Sequence, residues 1–513
     1  MYLEKPEITS TLQMTTEYFL NDYYLAFLSR QLSILGRREV HNGRAHFGIF
    51  GDGKEIVQLA LAKNFQKGDW RSGYYRDQTF MLALGLLQPE EFFAMIYGDT
   101  DDEVNPSTGG RNFNNHFTTS NTDENGVIKN LSEKFNSAAD ISSTGGQMPR
   151  LLGLAQASKI VREHPEMKLH LNNNVTGNEV AFGTIGDAST SEGLFFETIN
   201  AAAVMQVPLA VTVYDDGYGI SVPVELQTAK ASISEALKGF QKEKYSNGIE
   251  IFTCLGWDYP SLLRMFDKGI SICRKTHTPV LFHVQELTQP LGHSTSGSQE
   301  RYKSMERLHW EKEYDGLKQF KKWLLETGIA DIDTITQIEN KAKARAREAK
   351  NNAWKNYTDS FSHEIQELEE IIGNLRNFSD ETSGKINELS EIKKRTFPTR
   401  RKYLSFAKRI YYSLHSSAES DDEFKNLKSW ILNFESKSRE YYNRHLNLEG
   451  QASASGVKSV PARYNKESIE INGSEILSRN FDVLFKKYPN LVTFGQDTGK
   501  MGDRKSTRLN SSH

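Results

Sequence analysis

The segment from Val180 to Ser221 constrains the fold more than any other part of the chain. It opens with the apolar run VAFGTI, continues with apolar residues at helical spacing, and closes with a second apolar run, PLAVTVY. Short apolar runs bounded by turn residues are typical of buried strands, and a strand–helix–strand unit joins two parallel strands. The segment therefore predicts an α/β fold, a parallel sheet with helices on both faces.

The residues between the two predicted strands allow more detailed predictions. Gly186 is expected to allow a tight turn after the first strand, and the hydroxyl side chains that follow are expected to cap a helix. These capping candidates are Ser189, Thr190 and Ser191. The residues expected on the buried face of that helix are Phe195, Phe196, Ile199, Ala202 and Ala203.

Acidic residues stand at the carboxyl ends of both predicted strands. Asp187 follows the first strand, and Asp215 and Asp216 follow the second. Ligands of open α/β sheets bind at such ends, and Mg²⁺ prefers carboxylate and phosphate oxygens. Asp187, Asp216 and the backbone carbonyl of Tyr218 are therefore candidate metal ligands beside a bound diphosphate. The alternative is an ordinary crossover whose acids are solvated.

Three further strings have chemistry that suits the same ligand. An arginine fork binds phosphate well, so Tyr75-Arg76-Asp77 is a candidate phosphate site, although it also fits a surface ion pair. The glycine-rich string Ile141–Pro149, which contains Gly146, fits either a ligand loop or a plain turn. His293 follows a predicted strand and suits proton transfer near neutral pH, although a lone loop histidine is usually solvated.

The string GDASTSEG, followed by DDGYGIS, resembles the thiamine diphosphate motif of 2-oxo acid dehydrogenase alpha subunits. That motif begins with Gly-Asp and ends with a pair of Asn, and Asp216 follows Asp187 at a matching interval of 29 residues. The resemblance implies thiamine diphosphate and Mg²⁺ as cofactors, with Asp187, Asp216 and Tyr218 holding the metal. Asp215-Asp216 replaces Asn-Asn, so the site gains negative charge, and we expect it to depend more on basic residues.

The same resemblance gives roles to the other candidate cofactor residues. It implies that Tyr75 and Arg76 hold the diphosphate, and that the loop containing Gly146 faces the pyrimidine ring of the cofactor. Gly186 and Ala188 belong to the motif and are expected to contact the cofactor. Some branched-chain members hold a potassium ion in the Gly146 loop, but this loop is one residue shorter, so no potassium site is predicted.

Gly292–Ser296, GHSTS, resembles the family's flexible loop over the cofactor, and is more similar to branched-chain than to pyruvate members. Its histidine, His293, is expected to contact the diphosphate region and to assist acyl transfer. The implied activity is oxidative decarboxylation of a 2-oxo acid, with transfer of the acyl group to a lipoylated dihydrolipoyl acyltransferase core. Gly43–Glu55, GRAHFGIFGDGKE, also resembles the family at an early helix entry, and its GDGKE lacks the ending of a nucleoside triphosphate phosphate loop.

Composition changes divide the first 465 residues into three predicted parts. Residues 1–328 resemble the alpha subunit and form the predicted cofactor-binding domain. Residues 329–449 are charged and predict a helical connector, followed by a small-residue linker over 450–465. One connector helix is expected to carry Ile365, Leu368, Ile371, Ile372 and Leu375 on a single face.

Residues 466–502 resemble the opening of the family's beta subunit, and predict the start of a second α/β domain. We expect a helix around EILSRNFDVLFKKY and a strand over Leu491–Gly499, with Gln496 where many members have Glu. Residues 503–513 resemble a translated sequencing adapter. The chain is therefore predicted to be a fused alpha/beta polypeptide, truncated before the beta-subunit glutamate that activates the cofactor, and inactive alone. Because the family builds its site between alpha and beta portions, homo-oligomers are expected.

Composition excludes several classes of protein. A net charge of −3 argues against general nucleic-acid binding, and the basic string around Pro398 is expected to be a solvated helix end. No secretory signal is predicted, and the longest apolar run, Ala201–Val213, is too short to span a bilayer. Cys254 and Cys273 are too few for a disulfide framework and are expected in the core. A cytoplasmic protein without membrane or nucleic-acid partners is expected.

Two other classes of function stay open. The first is another thiamine diphosphate enzyme, such as a transketolase-like enzyme or a simple decarboxylase, which a lipoyl-dependent activity would distinguish. The second is a binding or scaffold protein that retains the cofactor fold, or a catalytically incomplete fragment that binds the cofactor weakly. The charged connector is compatible with this second class, because helical segments often mediate contacts.

Overall fold

The computed structural model describes residues 15–495, except for 113, 124, 126, 173, 377–379, 381–382, 385, 388–389, 392–396, 419–421 and 444–452. Its strands are β1 Trp70–Ser72, β2 Asn136–Ser137, β3 Ala181–Gly186, β4 Leu209–Tyr214, β5 Tyr218–Gly219, β6 Val222–Pro223, β7 Glu250–Leu255 and β8 Val280–Gln285. Its first eight helices are α1 Thr16–His41, α2 Glu55–Ala62, α3 Gln78–Ala83, α4 Pro89–Tyr97, α5 Gln147–Glu163, α6 Met167–His170, α7 Gly193–Met205 and α8 Ile233–Ala236. The following helices are α9 Tyr259–Thr276, α10 Met305–Glu313, α11 Gly316–Glu326, α12 Ile332–Asp359, α13 Ser362–Arg376, α14 Arg400–Ala418, α15 Asp422–Asn443 and α16 Gly473–Lys487.

The central sheet has six parallel strands in the order β2-β1-β3-β4-β8-β7, which confirms the predicted α/β class. Its three middle strands are buried almost throughout, as parallel strands covered on both faces must be. Gly186 pairs with Tyr214, and Tyr214 pairs with Val284. The carboxyl ends of β3, β4 and β8 therefore lie side by side at one edge of the sheet.

Alternate side chains of each strand enter two different cores. Phe182 and Phe282 face a core built with α1, α2, α9, α11 and α12. Ile185 and Leu281 face the opposite core, which α5 and α7 cover. This alternation follows from the two-residue repeat of a strand, and it places helices on both faces as predicted.

Most of the residues expected to be buried in α7 are buried, but one of them is not. Phe195, Ile199 and Ala202 are buried at a spacing of three or four residues, whereas Phe196 is 39% exposed. The expectation for Phe196 was wrong because neighbouring helical residues point about 100° apart. Apolar character alone does not distinguish the two adjacent phenylalanines.

The predicted hydroxyl cap of α7 was also wrong. Ala188–Ser191 form a separate 3-10 turn, and α7 begins only after Glu192, without a side-chain cap bond. Within the turn, the Thr190 hydroxyl donates to the Asp187 carbonyl at 2.6 Å. The hydroxyls therefore shape the turn that follows β3. Gly186 itself is the last residue of the strand and does not make that turn.

Helix α12 continues the first core beyond residue 328, the expected end of the cofactor-binding domain. Its buried alanines lie in a long interface with α1 and α4. These residues are Ala342, Ala346, Ala349 and Ala353. Small side chains at helical spacing allow such close helix packing. Part of the predicted connector is therefore built into the sheet-containing unit.

Helices α13, α14 and α15 form a bundle with a core of its own. Leu368, Ile372 and Leu375 are buried in it and Ile371 packs beside them, which confirms the predicted shared face. Pro398 lies just before α14, and Arg400, the first residue of α14, is buried rather than solvated. Arg401, the next residue of the basic string, is exposed as predicted, and residues 393–396 lie outside the described residues.

Beyond the bundle, α16 confirms the helix predicted around residues 475–488. Leu491–Gly495 do not form the predicted strand, and residues 496–499, including Gln496, lie outside the described part of the chain, as do residues 503–513. Both cysteines lie where the sequence predicts, Cys273 buried and Cys254 half-buried, and both are free thiols. Within the described residues, no helix combines the length and the apolarity that crossing a bilayer would require.

Candidate functional site

The adjacent ends of β3, β4 and β8 open into a cavity of about 450 Å³. Because neighbouring strand ends meet there, most of the predicted site residues converge on this cavity although they are far apart in sequence. The predicted residues that line it are Tyr75, Arg76, Gly186, Asp187, Ala188, Asp216, Tyr218 and His293. We call this cavity the site cavity, and it is the candidate functional site.

Asp187 follows β3 and is buried, and its Oδ2 atom has no hydrogen-bond partner among the described residues. Burial, and then the repulsion of nearby Asp216 and Asp215, raises the pKa of the Asp187 carboxyl well above its usual value. An unpartnered buried carboxylate oxygen is costly unless a cation or a donor reaches it. Asp187 therefore has the position and the chemistry of a metal ligand.

Asp216 follows β4 and is paired with a buried lysine. Lys54 Nζ lies 2.7 Å from Asp216 Oδ2, and it also donates to the Thr288 carbonyl at 3.0 Å and to Gln289 Oε1 at 2.8 Å. Burial alone would raise the pKa of Asp216, but the Lys54 ammonium holds that pKa below its usual value. Asp216 is therefore ionised, and all three protons of Lys54 have acceptors.

Asp215 does not share the lysine of Asp216 and has a basic partner of its own. His283 Nε2 lies 2.8 Å from Asp215 Oδ2, and His283 Nδ1 lies 2.8 Å from Ser234 Oγ. A carboxylate only accepts, so Nε2 donates to Asp215 and Nδ1 accepts from the Ser234 hydroxyl. Each of the two consecutive acids thus lies beside a different basic side chain.

Arg76 and His293 also line the site cavity, where they contact each other. Arg76 Nη2 lies 3.0 Å from the His293 carbonyl and 3.1 Å from His293 Nδ1, and Nη1 donates to the Phe50 carbonyl at 2.6 Å. A guanidinium only donates, so His293 Nδ1 accepts and the ring proton is on Nε2. Burial, and then the Arg76 charge, lowers the pKa of His293 to about 4, so the ring is neutral near pH 7.

Asp77, the last residue of the Tyr-Arg-Asp string, is an internal anchor. Its carboxylate accepts from Arg71 Nε at 2.8 Å and from the Thr184 hydroxyl at 2.5 Å, and all three residues are buried. These bonds tie the turn after β1 to β3 in the middle of the sheet. Tyr75 and Arg76 are held at the cavity by this anchor, which is not the surface ion pair considered from the sequence.

The loop that carries His293 is fastened to the segment before α2. Thr295 N donates to the Gly48 carbonyl at 2.9 Å, and Gly48 N donates to Thr295 Oγ1 at 2.9 Å. Leu291 N donates to Asp52 Oδ2 at 2.8 Å. The GDGKE string therefore supplies both the support of this loop and, through Lys54, a charged group of the site.

Gly146 is the predicted site residue that does not line the site cavity. It lies at the N-terminal end of α5, and two other residues of the same loop, Ser142 and Thr144, contact the cavity instead. His116 also lines the cavity, with Nε2 2.9 Å from Ser142 Oγ. No pattern around His116 indicates a functional role, so sequence inspection did not find it.

Within the described residues, no three histidine, cysteine or carboxylate side chains form a cluster that could hold a metal. A cation at Asp187 would therefore need further oxygens, from Asp216, from the backbone of Tyr218 and from a bound ligand. Mg²⁺ bound to a diphosphate has such a mixed shell. Oxygen donors and the Arg76 guanidinium line the same cavity and together fit a metal-bound diphosphate.

The fold and cavity define an α/β protein with a cavity at the carboxyl ends of a parallel sheet, the place where such folds bind ligands. The model of the dehydrogenase E1 component family matches residues 23–360, and the chain belongs to that family. Membership implies thiamine diphosphate as cofactor, as the sequence resemblance predicts.

Two relatives have low sequence identity to this chain, but the similarity covers most of the length of each relative. The alpha subunit of 2-oxoisovalerate dehydrogenase from Bacillus subtilis (strain 168) is 24% identical over 351 residues, 66% of this chain and 93% of the relative. The pyruvate dehydrogenase E1 component subunit alpha from Acholeplasma laidlawii is 26% identical over 335 residues, 65% of this chain and 82% of the relative. Relatives acting on two different 2-oxo acids are thus similar to this chain at nearly equal identity.

Proposed function

We propose that this chain is the alpha portion of an enzyme that oxidatively decarboxylates a branched-chain 2-oxo acid or pyruvate. The observation that carries the proposal is the unpartnered, buried Asp187 Oδ2, which faces the same cavity as Arg76. The cavity thus offers carboxylate oxygens to a cation and a guanidinium to an anion. That combination suits thiamine diphosphate bound through Mg²⁺.

Metal binding is proposed for Asp187, Asp216 and the backbone carbonyl of Tyr218. Asp216 shares its Oδ2 with Lys54, so it would contribute to the metal site as part of an ion pair. The Lys54 charge offsets the extra negative charge of a carboxylate where the family has an amide. This pairing supports our expectation that the site depends more on basic residues.

Diphosphate binding is proposed for Arg76 and Tyr75. The Arg76 guanidinium lies 5.3 Å from the centre of the Tyr75 ring, which restricts its orientation. Gly186 and Ala188 present little bulk to the cavity, and a Cβ built on Gly186 would come no closer than 3.8 Å to another atom. The space beside Gly186 is therefore open to a ligand. A cofactor role for Gly146 would be indirect, through the position of its loop.

His293 is proposed to assist acyl transfer as a neutral imidazole. Arg76 fixes its Nδ1 as an acceptor, which leaves the Nε2 proton as a hydrogen-bond donor to a reacting group. The bound cofactor supplies the electron sink for decarboxylation, and the acyl product passes to the lipoyl group of an acyltransferase core. The GHSTS string favours a branched-chain substrate.

We also propose that residues 466–502 begin a second, beta-like α/β domain of a fused, cytoplasmic and homo-oligomeric enzyme. Helix α16 supports this proposal because its apolar side chains Ile476, Leu477 and Val483 are exposed. Such a face needs a partner that the described residues do not supply.

The test is calorimetric titration of thiamine diphosphate into the 513-residue chain, with Mg²⁺ and again with a chelator. We expect metal-dependent binding that Asp187→Asn abolishes. Asp267→Asn, an exposed acid on α9, is the matched control and should bind as the wild type does. The proposed site would be contradicted if the wild type did not bind the cofactor. It would also be contradicted if neither the chelator nor Asp187→Asn changed the binding.

A further inference from the structure

A second cavity, of about 180 Å³, lies between the sheet-containing unit and the helical bundle. One side is formed by the C-terminal ends of α4 and α12, and the other by the start of α14 and the end of α15. We call it the seam cavity. The residues that matter for its chemistry are Asp99, Tyr357, Arg400, Tyr441 and Tyr442.

Arg400 lines the seam cavity and is only 7% exposed. Its guanidinium stacks 4.3 Å from the centre of the Phe434 ring and 5.2 Å from that of Tyr441, and Nε donates to Ser438 Oγ at 3.3 Å. Nη2 is buried without a hydrogen-bond partner among the described residues. A buried cationic donor without an acceptor is costly, so an anionic group is expected to complete this site.

Asp99 brings the opposite charge to the same cavity. Helix α4 ends at Gly98 in the left-handed conformation, with φ 69°, and the following Asp99 is turned into the seam, where it is 5% exposed. Asp99 Oδ1 accepts from Asp101 N at 3.1 Å. Burial raises the pKa of Asp99, as expected for an acid that lacks a cationic partner.

Arg400 and Asp99 shift the pKa of the same tyrosine, Tyr442, in opposite directions. Burial raises the phenol pKa of Tyr442, while Arg400 lowers it and Asp99 raises it. Because Asp99 and Arg400 both line one cavity of about 180 Å³, the two opposite charges are close enough to share one small ligand. A cavity of about 180 Å³ has room for roughly six water molecules, which matches a single small molecule and excludes a peptide.

We propose that the seam cavity binds a free α-amino acid, with its carboxylate on Arg400 and its ammonium on Asp99. A zwitterion satisfies both buried charges at once. A phosphate or another multiply charged anion would satisfy Arg400 but would be repelled by Asp99. The tyrosine hydroxyls provide further hydrogen-bonding groups at the rim.

The proposed site is separate from the thiamine diphosphate site and does not depend on it. Arg400, Tyr441 and Tyr442 lie outside residues 23–360, the part that matches the E1 family. The site is therefore a property of the added helices of this chain. A ligand that contacts both sides of the seam stabilises the docked bundle by its binding free energy.

The first experiment measures thermal stability and calorimetric binding of the 513-residue chain with each of the twenty common α-amino acids. Acetate and ethylammonium serve as half-ligands that carry one charge each. We expect at least one amino acid to raise the unfolding temperature and to bind about 10- to 100-fold more tightly than either half-ligand. Binding of no amino acid, or equally tight binding of acetate or phosphate, would overturn the proposal.

Variants then separate a binding role from a structural one. Arg400→Gln should weaken amino-acid binding about 10- to 100-fold, whereas the neighbouring exposed Arg401→Gln should not change it. Because loss of a buried arginine can also weaken the bundle, Asp99→Asn provides a nearly isosteric second variant. It should lose amino-acid binding by a similar factor while still binding acetate. Amino-acid binding that survives unchanged in both variants would place the ligand elsewhere and overturn the proposal.

Discussion

The two consecutive acids at the end of β4 have different partners. Asp215 lies beside His283, and Asp216 lies beside Lys54, so the two carboxylates have separate partners. The Lys54 ammonium offsets the negative charge of Asp216, and His283 donates a hydrogen bond to Asp215. It follows that Lys54 and Asp216 act as one unit, and that changing either alone leaves a buried charge without its partner.

The first prediction concerns this ion pair. Asp216→Asn should destabilise the chain by about 3–5 kcal/mol, because Lys54 is then left buried beside a neutral amide. Lys54→Gln should also destabilise it, because the buried Asp216 carboxylate then lacks its cationic partner. The double variant should be more stable than the sum of the single changes predicts. Urea unfolding of all four proteins measures this coupling.

Thiamine diphosphate binding provides a second readout of the same four proteins. Asp216→Asn should change cofactor affinity or metal dependence, and Lys54→Gln with Asp216→Asn should restore a value nearer to that of the wild type. If the two substitutions had additive effects on stability, and if Asp216→Asn did not change cofactor binding, the Lys54–Asp216 pair would not be part of the site.

The second prediction concerns pH and His293. The pKa of this imidazole is about 4 in the folded chain, against an ordinary value of 6.5. Between these values the unfolded chain takes up a proton that the folded chain does not, so stability should fall as pH falls through this window. His293→Gln should lose less stability than the wild type between about pH 7 and about pH 5.

Urea unfolding at both pH values measures the difference for the wild type and for His293→Gln. The matched control is His309→Gln, which removes an exposed histidine from α10 and should keep the wild-type pH dependence. Equal pH dependence of all three proteins would mean that His293 titrates normally and is not held neutral by burial and Arg76.

How far sequence could predict the site depended on how each residue reaches it. Asp187 and Asp216 follow predicted strands, and Arg76 and His293 belong to strings with recognisable chemistry, so all four were found. Lys54 lies 162 residues from Asp216, and a lysine before a helix carries no local signal of such a partner.

At the scale of elements, the segment before α2 and the loop after β8 behave as one support for the site. Gly53 has φ 83°, and a Cβ built on it would overlap the Thr288 carbonyl oxygen. That carbonyl accepts from Lys54, the next residue. The glycine is therefore required both for its backbone conformation and for the close approach of the two segments.

The third prediction follows from this approach. Gly53→Ala should destabilise the chain by more than Gly43→Ala, which has a similar φ of 80° but no atom within 4 Å of the new Cβ. Gly43→Ala reports backbone strain alone, about 1–2 kcal/mol. Gly53→Ala adds a clash that displaces the β8 loop, so it should also weaken thiamine diphosphate binding. Thermal unfolding and calorimetry measure the two effects, and equal losses for both variants would contradict the argument.

Elements were easier to predict than their ends. The two apolar runs became β3 and β4, and the charged segment around residues 475–488 became α16. The start of α7 was misplaced because Ser189–Ser191 can cap a helix or close a 3-10 turn, and only the position of β3 decides between them. For the same reason, the tight turn falls after Asp187 rather than at Gly186.

At the scale of the whole molecule, the described chain has two cores against the sheet and a third in the bundle. The sequence predicted an α/β unit followed by helices, but it did not show which helices belong to which core. Helix α12 is highly charged, and its buried stripe consists mainly of alanines, which carry little hydrophobic signal. Tertiary contact with α1 and α4, rather than composition, builds α12 into the first core.

The last prediction tests that assignment of α12. Ala346 is fully buried in the first core, so Ala346→Leu forces extra volume into the α12 interface and should cost about 1–3 kcal/mol. Arg347→Leu, on the exposed face of the same helix, is the matched control and should be nearly neutral. Because α12 shares its core with α1, and α1 contacts α2 next to Lys54, thermal unfolding and loss of thiamine diphosphate binding should shift together in Ala346→Leu. If the bundle unfolded earlier while cofactor binding kept its wild-type temperature dependence, α12 would belong with the connector, as the sequence first suggested.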